Sequence, residues 1–117
     1  MGMRFKQLAD DAKSRIREVS AKQASEEQSK GAVLVDVREA DEFAAGHAKN
    51  ALHLSKGVIE LRIEDAVPDT STPIICYCGG GSRSALAADN LKKMGYTNVA
   101  SMAGGFRDWK NEGLPTS

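Results

Sequence analysis

One short stretch of this 117-residue chain joins a thiol, three consecutive glycines and an arginine. Residues 74–84 read IICYCGGGSRS, so Cys78 ends an apolar run and the glycines follow it directly. Glycine adopts the positive-φ conformations that let consecutive backbone N–H groups point into one loop. Such a loop, at the positive end of a helix, stabilises a thiolate and lowers its pKa from ~8.5 to about 3.5–7.5. The pattern predicts that Cys78 is a nucleophile at neutral pH.

The rest of this stretch is suited to binding an anion. Arg83 offers fixed, planar donors to an oxyanion and deepens the positive potential of the loop. Glycine-rich turns between a strand and a helix are also common packing devices, and cysteine is among the most buried residue types. A structural role for Cys78 is therefore the alternative at this point.

Charged residues end a second apolar run, GAVLVDVRE. Asp36, Arg38 and Glu39 lie at its end, where side chains leave a strand buried on both faces. We expect Asp36 and Arg38 either to support the Cys78 loop or to form a local hydrogen-bond network.

The remaining thiol and imidazole groups carry weaker signals. Cys76 lies inside the apolar run, which favours a buried structural thiol, with a resolving thiol as the alternative. His47 follows a short helical stretch and is expected to cap it or to be hydrogen-bonded, whereas His53 has no identifiable partner in the sequence. The spacing of these residues is unlike a zinc signature, and we expect no metal site.

Helical and extended segments alternate along the chain. A surface helix is predicted over residues 3–14, and the clearest helix is SRSALAADNLKKMG, whose apolar stripe is predicted to be Leu86, Leu91 and Met94. This alternation indicates an α/β layer with a largely parallel sheet. Ligands of such sheets bind at the carboxyl ends of the strands, which is where DVRE and CGGGSRS fall.

Composition limits the other classes of function. The hydrophobic content of 41% supports one core, and 16 basic residues balance 16 acidic ones without long blocks of either sign. We therefore expect a single domain over residues 1–117, without nucleic-acid or membrane partners. Two cysteines cannot build a disulfide framework, and with no secretion signal evident we expect a cytoplasmic protein.

The chain resembles the single-domain rhodaneses. CGGGSRS is similar to their C-x-x-G-x-R-S loop, and VLVDVRE, EFAAGH, IICYC and AGGFRDWKNEGLP occur in the family's order. The resemblance covers about residues 16–115. It implies a rhodanese-like fold with a central five-stranded, mostly parallel sheet flanked by helices on both faces.

The resemblance also implies a sulfurtransferase in which Cys78 carries a persulfide. The sulfur would come from a donor such as thiosulfate, a small sulfur-containing anion, or from a persulfide. It would pass to cyanide or to a thiol acceptor, including thioredoxin-like or glutathione-like ones, without a cofactor. The loop amides would hold the terminal sulfur and the charge on the departing oxyanion. The substrate-binding residues would be Gly79, Gly80, Gly81, Ser82, Arg83 and Ser84.

Two other functions stay open. Cysteine phosphatases use C-x5-R, whereas Cys78 and Arg83 form C-x4-R, a tighter ring that suits one sulfur atom better than a phosphate. A phosphatase or arsenate reductase of the same fold is therefore disfavoured. A non-catalytic binding module of this fold usually lacks the cysteine, which is present here.

Overall fold

The protein is built around one five-stranded parallel sheet. The computed structural model describes residues 2–117, and within that range the chain forms five strands and six helices. The strands are β1 Arg17–Val19, β2 Val33–Asp36, β3 Leu52–His53, β4 Ile74–Tyr77 and β5 Val99–Met102. The helices are α1 Met3–Lys13, α2 Ala21–Ser29, α3 Ala40–Ala44, α4 Ile59–Ala66, α5 Ser82–Lys93 and α6 Gly105–Asn111.

The strand order is β1-β5-β4-β2-β3, and every neighbouring pair is parallel. The predicted α/β fold is confirmed, and the sheet is parallel throughout. Strand β4 lies at the centre, where Cys76 is in register with Val35 on one side and Ser101 on the other. All four β4 residues are buried, as expected for a continuous apolar run covered on both faces.

The side chains of β4 alternate between two cores, because successive strand residues point to opposite faces. Cys76 packs with Leu91 and other side chains of α4 and α5. Tyr77 packs with Trp109 and other side chains of α2 and α6. Cys78, which follows the strand, belongs to the same core as Cys76, so its side chain lies on the α5 side of the sheet.

Helix α5 is packed on two sides. Leu91 is fully buried and Leu86 is half-buried, but Met94 is 37% exposed beyond the end of the helix, so its place in the predicted apolar stripe was wrong. The sheet lies along one side of α5 and α1 packs along another, which favours small side chains around the helix. The fully buried alanines of α5 are Ala85, Ala87 and Ala88.

The N-terminal helix α1 confirms the predicted surface helix to within one residue. It buries Ala9 and Ala12, and the Arg15 guanidinium just after it donates to both carboxylate oxygens of Asp89 at 3.1 and 2.7 Å. Within residues 2–117, every helix is too short or too polar to cross a bilayer.

Candidate active site

Cys78 lies one residue beyond the central strand, at the carboxyl edge of the sheet. Its side chain is only 1% exposed, yet it lines a pocket of about 430 Å³ together with Phe5, Gly80, Ser82 and Arg83. The thiol is therefore surrounded by protein on most sides and reachable from one. This geometry suits a nucleophile that attacks a small group entering the pocket.

The backbone of the loop turns its amides toward the Cys78 sulfur. The Gly81 N–H donates to Cys78 Sγ at 3.1 Å, and the Ser84 hydroxyl lies 3.5 Å from the same atom. Gly81 has φ +105°, a left-handed conformation that lets the chain turn directly into α5. A Cβ at Gly81 would also overlap the Ala103 carbonyl. Glycine is needed here for both reasons.

The Cys78 thiol has a pKa below its usual value. Burial of the sulfur raises this pKa, but hydrogen bonds from the Ser84 hydroxyl and from the amides of Ser84, Gly81 and Gly80 favour the thiolate and outweigh it. The sulfur thus becomes a better nucleophile near neutral pH without a histidine base.

Two serine hydroxyls form a short chain that ends at the sulfur. Ser84 Oγ lies 2.8 Å from Ser101 Oγ on β5, and both side chains are buried. A thiolate only accepts hydrogen bonds, so Ser84 must donate to Cys78 and Ser101 must then donate to Ser84. Ser101 therefore fixes the direction of the Ser84 hydroxyl.

The start of α6 holds the first part of the loop. The Phe106 N–H donates to the Cys78 carbonyl at 2.7 Å, and the Arg107 N–H donates to the Gly79 carbonyl at 3.3 Å. This close approach requires Gly105, which has φ +58° and whose Cβ would lie 2.5 Å from the Cys78 oxygen. The loop carbonyls are thereby held away from the sulfur, and the amides are left facing it.

Arg83 is held by a carboxylate from another helix. Its Nη1 and Nη2 donate to Glu42 Oε1 and Oε2 at 2.8 and 3.2 Å. The hydrogen bonds from Arg83 lower the pKa of Glu42 to about 2, so this carboxylate is charged at physiological pH. Glu42 also accepts from the Glu39 N–H, in a capping box that starts α3.

Asp36 and Arg38 pair with each other beneath this site. The Arg38 guanidinium donates to both Asp36 oxygens and to the Gly46 carbonyl, and it stacks 4.5 Å from the centre of the Phe106 ring. Both residues are buried. Their connection to Cys78 runs through Phe106, whose backbone amide binds the Cys78 carbonyl.

Cys76 and the two histidines make contacts away from the sulfur loop. Cys76 is fully buried, and burial raises the pKa of its thiol to about 12. His47 Nδ1 lies 2.9 Å from the Phe43 carbonyl near the end of α3, and His53 Nε2 lies 2.8 Å from the Arg38 carbonyl. Within residues 2–117, no group of three or more histidine, cysteine or acidic side chains could hold a metal ion.

Comparison with known proteins agrees with this geometry. Residues 20–112 match the family described as Rhodanese-like domain. This chain belongs to that family. Thiosulfate sulfurtransferase GlpE of Pseudomonas entomophila is 38% identical over 98 residues, which are 84% of this chain and 88% of that protein.

Two solved structures of rhodanese-like shape cover almost the whole chain. A Rhodopseudomonas palustris protein of unknown function, described as a possible tyrosine phosphatase, has a TM-score of 0.88 and 28% identity. The match covers 97% of this chain and 93% of that one. The polysulfide-sulfur transferase homodimer of Wolinella succinogenes has a TM-score of 0.82 and 30% identity, over 97% of this chain and 86% of that one.

Three residues of this rhodanese-like site were not found from the sequence. Glu42 lies within the EFAAGH motif and Phe5 within the predicted helix over residues 3–14, but neither residue was singled out, and neither was Ser101. Each reaches the loop from a distant part of the chain. The helical spacing of Phe5, Ala9 and Ala12 is the one local signal of a packed face on this helix, and it does not report what that face covers.

Proposed function

We propose that this protein is a sulfurtransferase in which Cys78 carries the transferred sulfur. The single observation that carries the proposal is the Gly81 N–H directed at Cys78 Sγ at 3.1 Å, on the floor of an open pocket. The membership of the family and the likeness to a named thiosulfate sulfurtransferase support it.

The first half of the reaction loads the enzyme. The Cys78 thiolate attacks the outer sulfur of a donor such as thiosulfate, and a new S–S bond forms as the donor's own S–S bond breaks. Sulfite leaves with the electron pair of the broken bond. The amides of Gly80, Gly81 and Ser84, which already donate to Cys78, offer stabilisation to the terminal sulfur of the persulfide.

The second half returns the enzyme to its starting state. An acceptor thiolate or cyanide attacks the terminal sulfur, and Cys78 leaves as the thiolate that the loop stabilises. The low pKa of Cys78 helps here too, because a thiol of lower pKa is a better leaving group. A cofactor is not needed for either half.

The donor classes are taken from the relatives of this chain. Thiosulfate is the donor suggested by the curated relative, and polysulfide is suggested by the Wolinella protein. The acceptor is proposed to be a thiol of thioredoxin-like or glutathione-like type. Two free cysteines and a thiolate reaction suit a reducing compartment, so we propose a cytoplasmic enzyme in which residues 2–117 act as one unit.

Phosphate-ester hydrolysis is the second candidate. The likeness to a possible tyrosine phosphatase favours it, and the short ring from Cys78 to Arg83 disfavours it.

Steady-state kinetics of sulfur transfer from thiosulfate to cyanide test the proposal. We expect parallel double-reciprocal lines, complete loss of activity in Cys78→Ser, and retained activity in the matched variant Cys76→Ala. Hydrolysis of an aryl phosphate at a comparable rate, without sulfur transfer, would support the phosphatase instead. Inertness toward both substrates would indicate a binding module.

A further inference from the structure

We infer that Phe5 is a specificity-determining residue of this site, and that it selects sulfane-sulfur donors that carry an aryl or alkyl group beside the reacting sulfur. The inference rests on the proposed sulfur transfer at Cys78. It adds the class of donor, and it gives α1 a role in the chemistry.

Phe5 lies on α1 and reaches the same pocket as the nucleophile. Among the side chains that line the pocket with Cys78, it provides the aromatic surface, beside a glycine, a serine and the arginine of the loop. The ring is half-buried, so part of it remains available to a ligand. A substrate group held against this ring would sit beside the sulfur under attack.

The position of Phe5 is fixed by the packing of α1 on α5. Arg15 pairs with Asp89, and its carbonyl accepts a hydrogen bond from Lys92 Nζ at 2.6 Å. Phe5 precedes the end of α1 at Lys13 by eight residues, or about 12 Å of helix, and Ser82 precedes Asp89 by seven residues, or about 10 Å. Because α1 and α5 run in the same direction, with Arg15 beside Asp89 and Phe5 on the same pocket as Ser82, this anchor holds Phe5 at the end of α5 that carries the sulfur loop.

The charge of the pocket points to the same class of donor. Arg83, the cation of the loop, shares its charge with Glu42, and the other loop residues are glycines and serines. A dianion such as thiosulfate gains little from a cation that is already paired. A thiosulfonate with an aryl or alkyl group carries one negative charge and adds apolar area that Phe5 can cover.

The reaction with such a donor is balanced without a further reactant. The Cys78 thiolate attacks the outer sulfur of R–SO₂–S⁻, and a Cys78 S–S bond forms. The bond between the two donor sulfurs breaks, and the sulfinate R–SO₂⁻ leaves with the electron pair. The Cys78 persulfide keeps the negative charge of the thiolate.

The test compares benzenethiosulfonate with methanethiosulfonate, which differ in the group that would meet Phe5. In Phe5→Ala, we expect the kcat/KM for benzenethiosulfonate divided by that for methanethiosulfonate to fall about tenfold. Phe5→Leu keeps apolar bulk and should lose less of the ratio. The control is Leu8→Ala. Leu8 lies on the same helix and is 57% exposed in the wild type, so this variant should keep the wild-type ratio.

A ratio that stays unchanged in Phe5→Ala, or that changes equally in Leu8→Ala, would overturn the inference. Intact mass with saturating benzenethiosulfonate separates this failure from that of the proposed function. If Cys78 still gains about 32 Da while the ratio is unchanged, sulfur transfer stands and only the role of Phe5 is lost. If the wild type gains no sulfur from any donor, both are lost.

Discussion

The guanidinium of Arg83 and the carboxylate of Glu42 form a two-point ion pair, with N–O distances of 2.8 and 3.2 Å. The pair joins the sulfur loop to α3 and holds the arginine in place above Gly79, within 3.5 Å of where a Cβ of that residue would lie. The negative charge of Glu42 also neutralises part of the positive charge that Arg83 brings to the loop. Glu42 thus positions Arg83 and limits how strongly the site attracts anions.

Removing the charge of Glu42 should improve the use of thiosulfate. In Glu42→Gln, we expect the KM for thiosulfate to fall about three- to tenfold, because Arg83 no longer shares its charge. The matched control is Glu26→Gln, an exposed glutamate on α2, which should leave KM unchanged. A higher KM in Glu42→Gln would mean that Glu42 serves mainly to place Arg83.

Loss of the Ser84 hydroxyl should raise the pKa of Cys78. One charge-assisted hydrogen bond to the thiolate corresponds to a shift of about one to two units, upward in Ser84→Ala. The thiolate fraction at pH 7 then falls, and the pH at which Cys78 alkylation is half-maximal rises. Peptide mass mapping of iodoacetamide labelling against pH measures this shift.

Ser82→Ala is the control for that experiment. Ser82 lines the pocket, but its hydroxyl is not among the groups that lower the pKa of Cys78. The pH profile of Cys78 alkylation in Ser82→Ala should match that of the wild type. An identical shift in both serine variants would contradict the specific role of Ser84.

Two neighbouring glycines should differ sharply in their tolerance of a methyl group. Gly81→Ala combines a left-handed φ with overlap on the Ala103 carbonyl, so we expect a loss of about 2–4 kcal/mol in the free energy of unfolding. Gly80→Ala meets nothing within 4 Å and should stay within about 0.5 kcal/mol of wild type. Urea denaturation compares the two variants, and equal stabilities would refute the loop geometry.

The Asp36–Arg38 pair should matter chiefly for stability. Arg38→Ala leaves the buried Asp36 carboxylate without its partner, which should cost about 3–5 kcal/mol in the free energy of unfolding. Arg107→Ala removes an exposed pair with Asp108 and should change that free energy by less than about 1 kcal/mol. If Arg38→Ala unfolds at the same urea midpoint as the wild type, the pair contributes nothing to the free energy of unfolding.

Local patterns in the sequence were sufficient to predict the two central strands and the turn into α5. The valine-rich run before Asp36 and the apolar run before Cys78 each became a buried parallel strand, and the glycines led directly into α5. These features depend on residues adjacent in the chain. The position of Cys78 at the sheet edge follows from them.

The rest of the site depends on residues far apart in the chain. Glu42 lies 41 residues before Arg83, and Ser101 lies 17 residues after Ser84. No local periodicity reports such a pairing. Met94 was misplaced for a related reason, because α1 on the outer side of α5 favours alanines over one large apolar stripe.

The most direct test of the account is the intact mass of the protein after mixing with thiosulfate. If the loop amides make Cys78 a sulfur carrier, the wild type and Cys76→Ala should each gain about 32 Da, which cyanide should remove. Cys78→Ser should gain nothing. A wild-type protein that gains no sulfur, or a gain that persists in Cys78→Ser, would contradict the account.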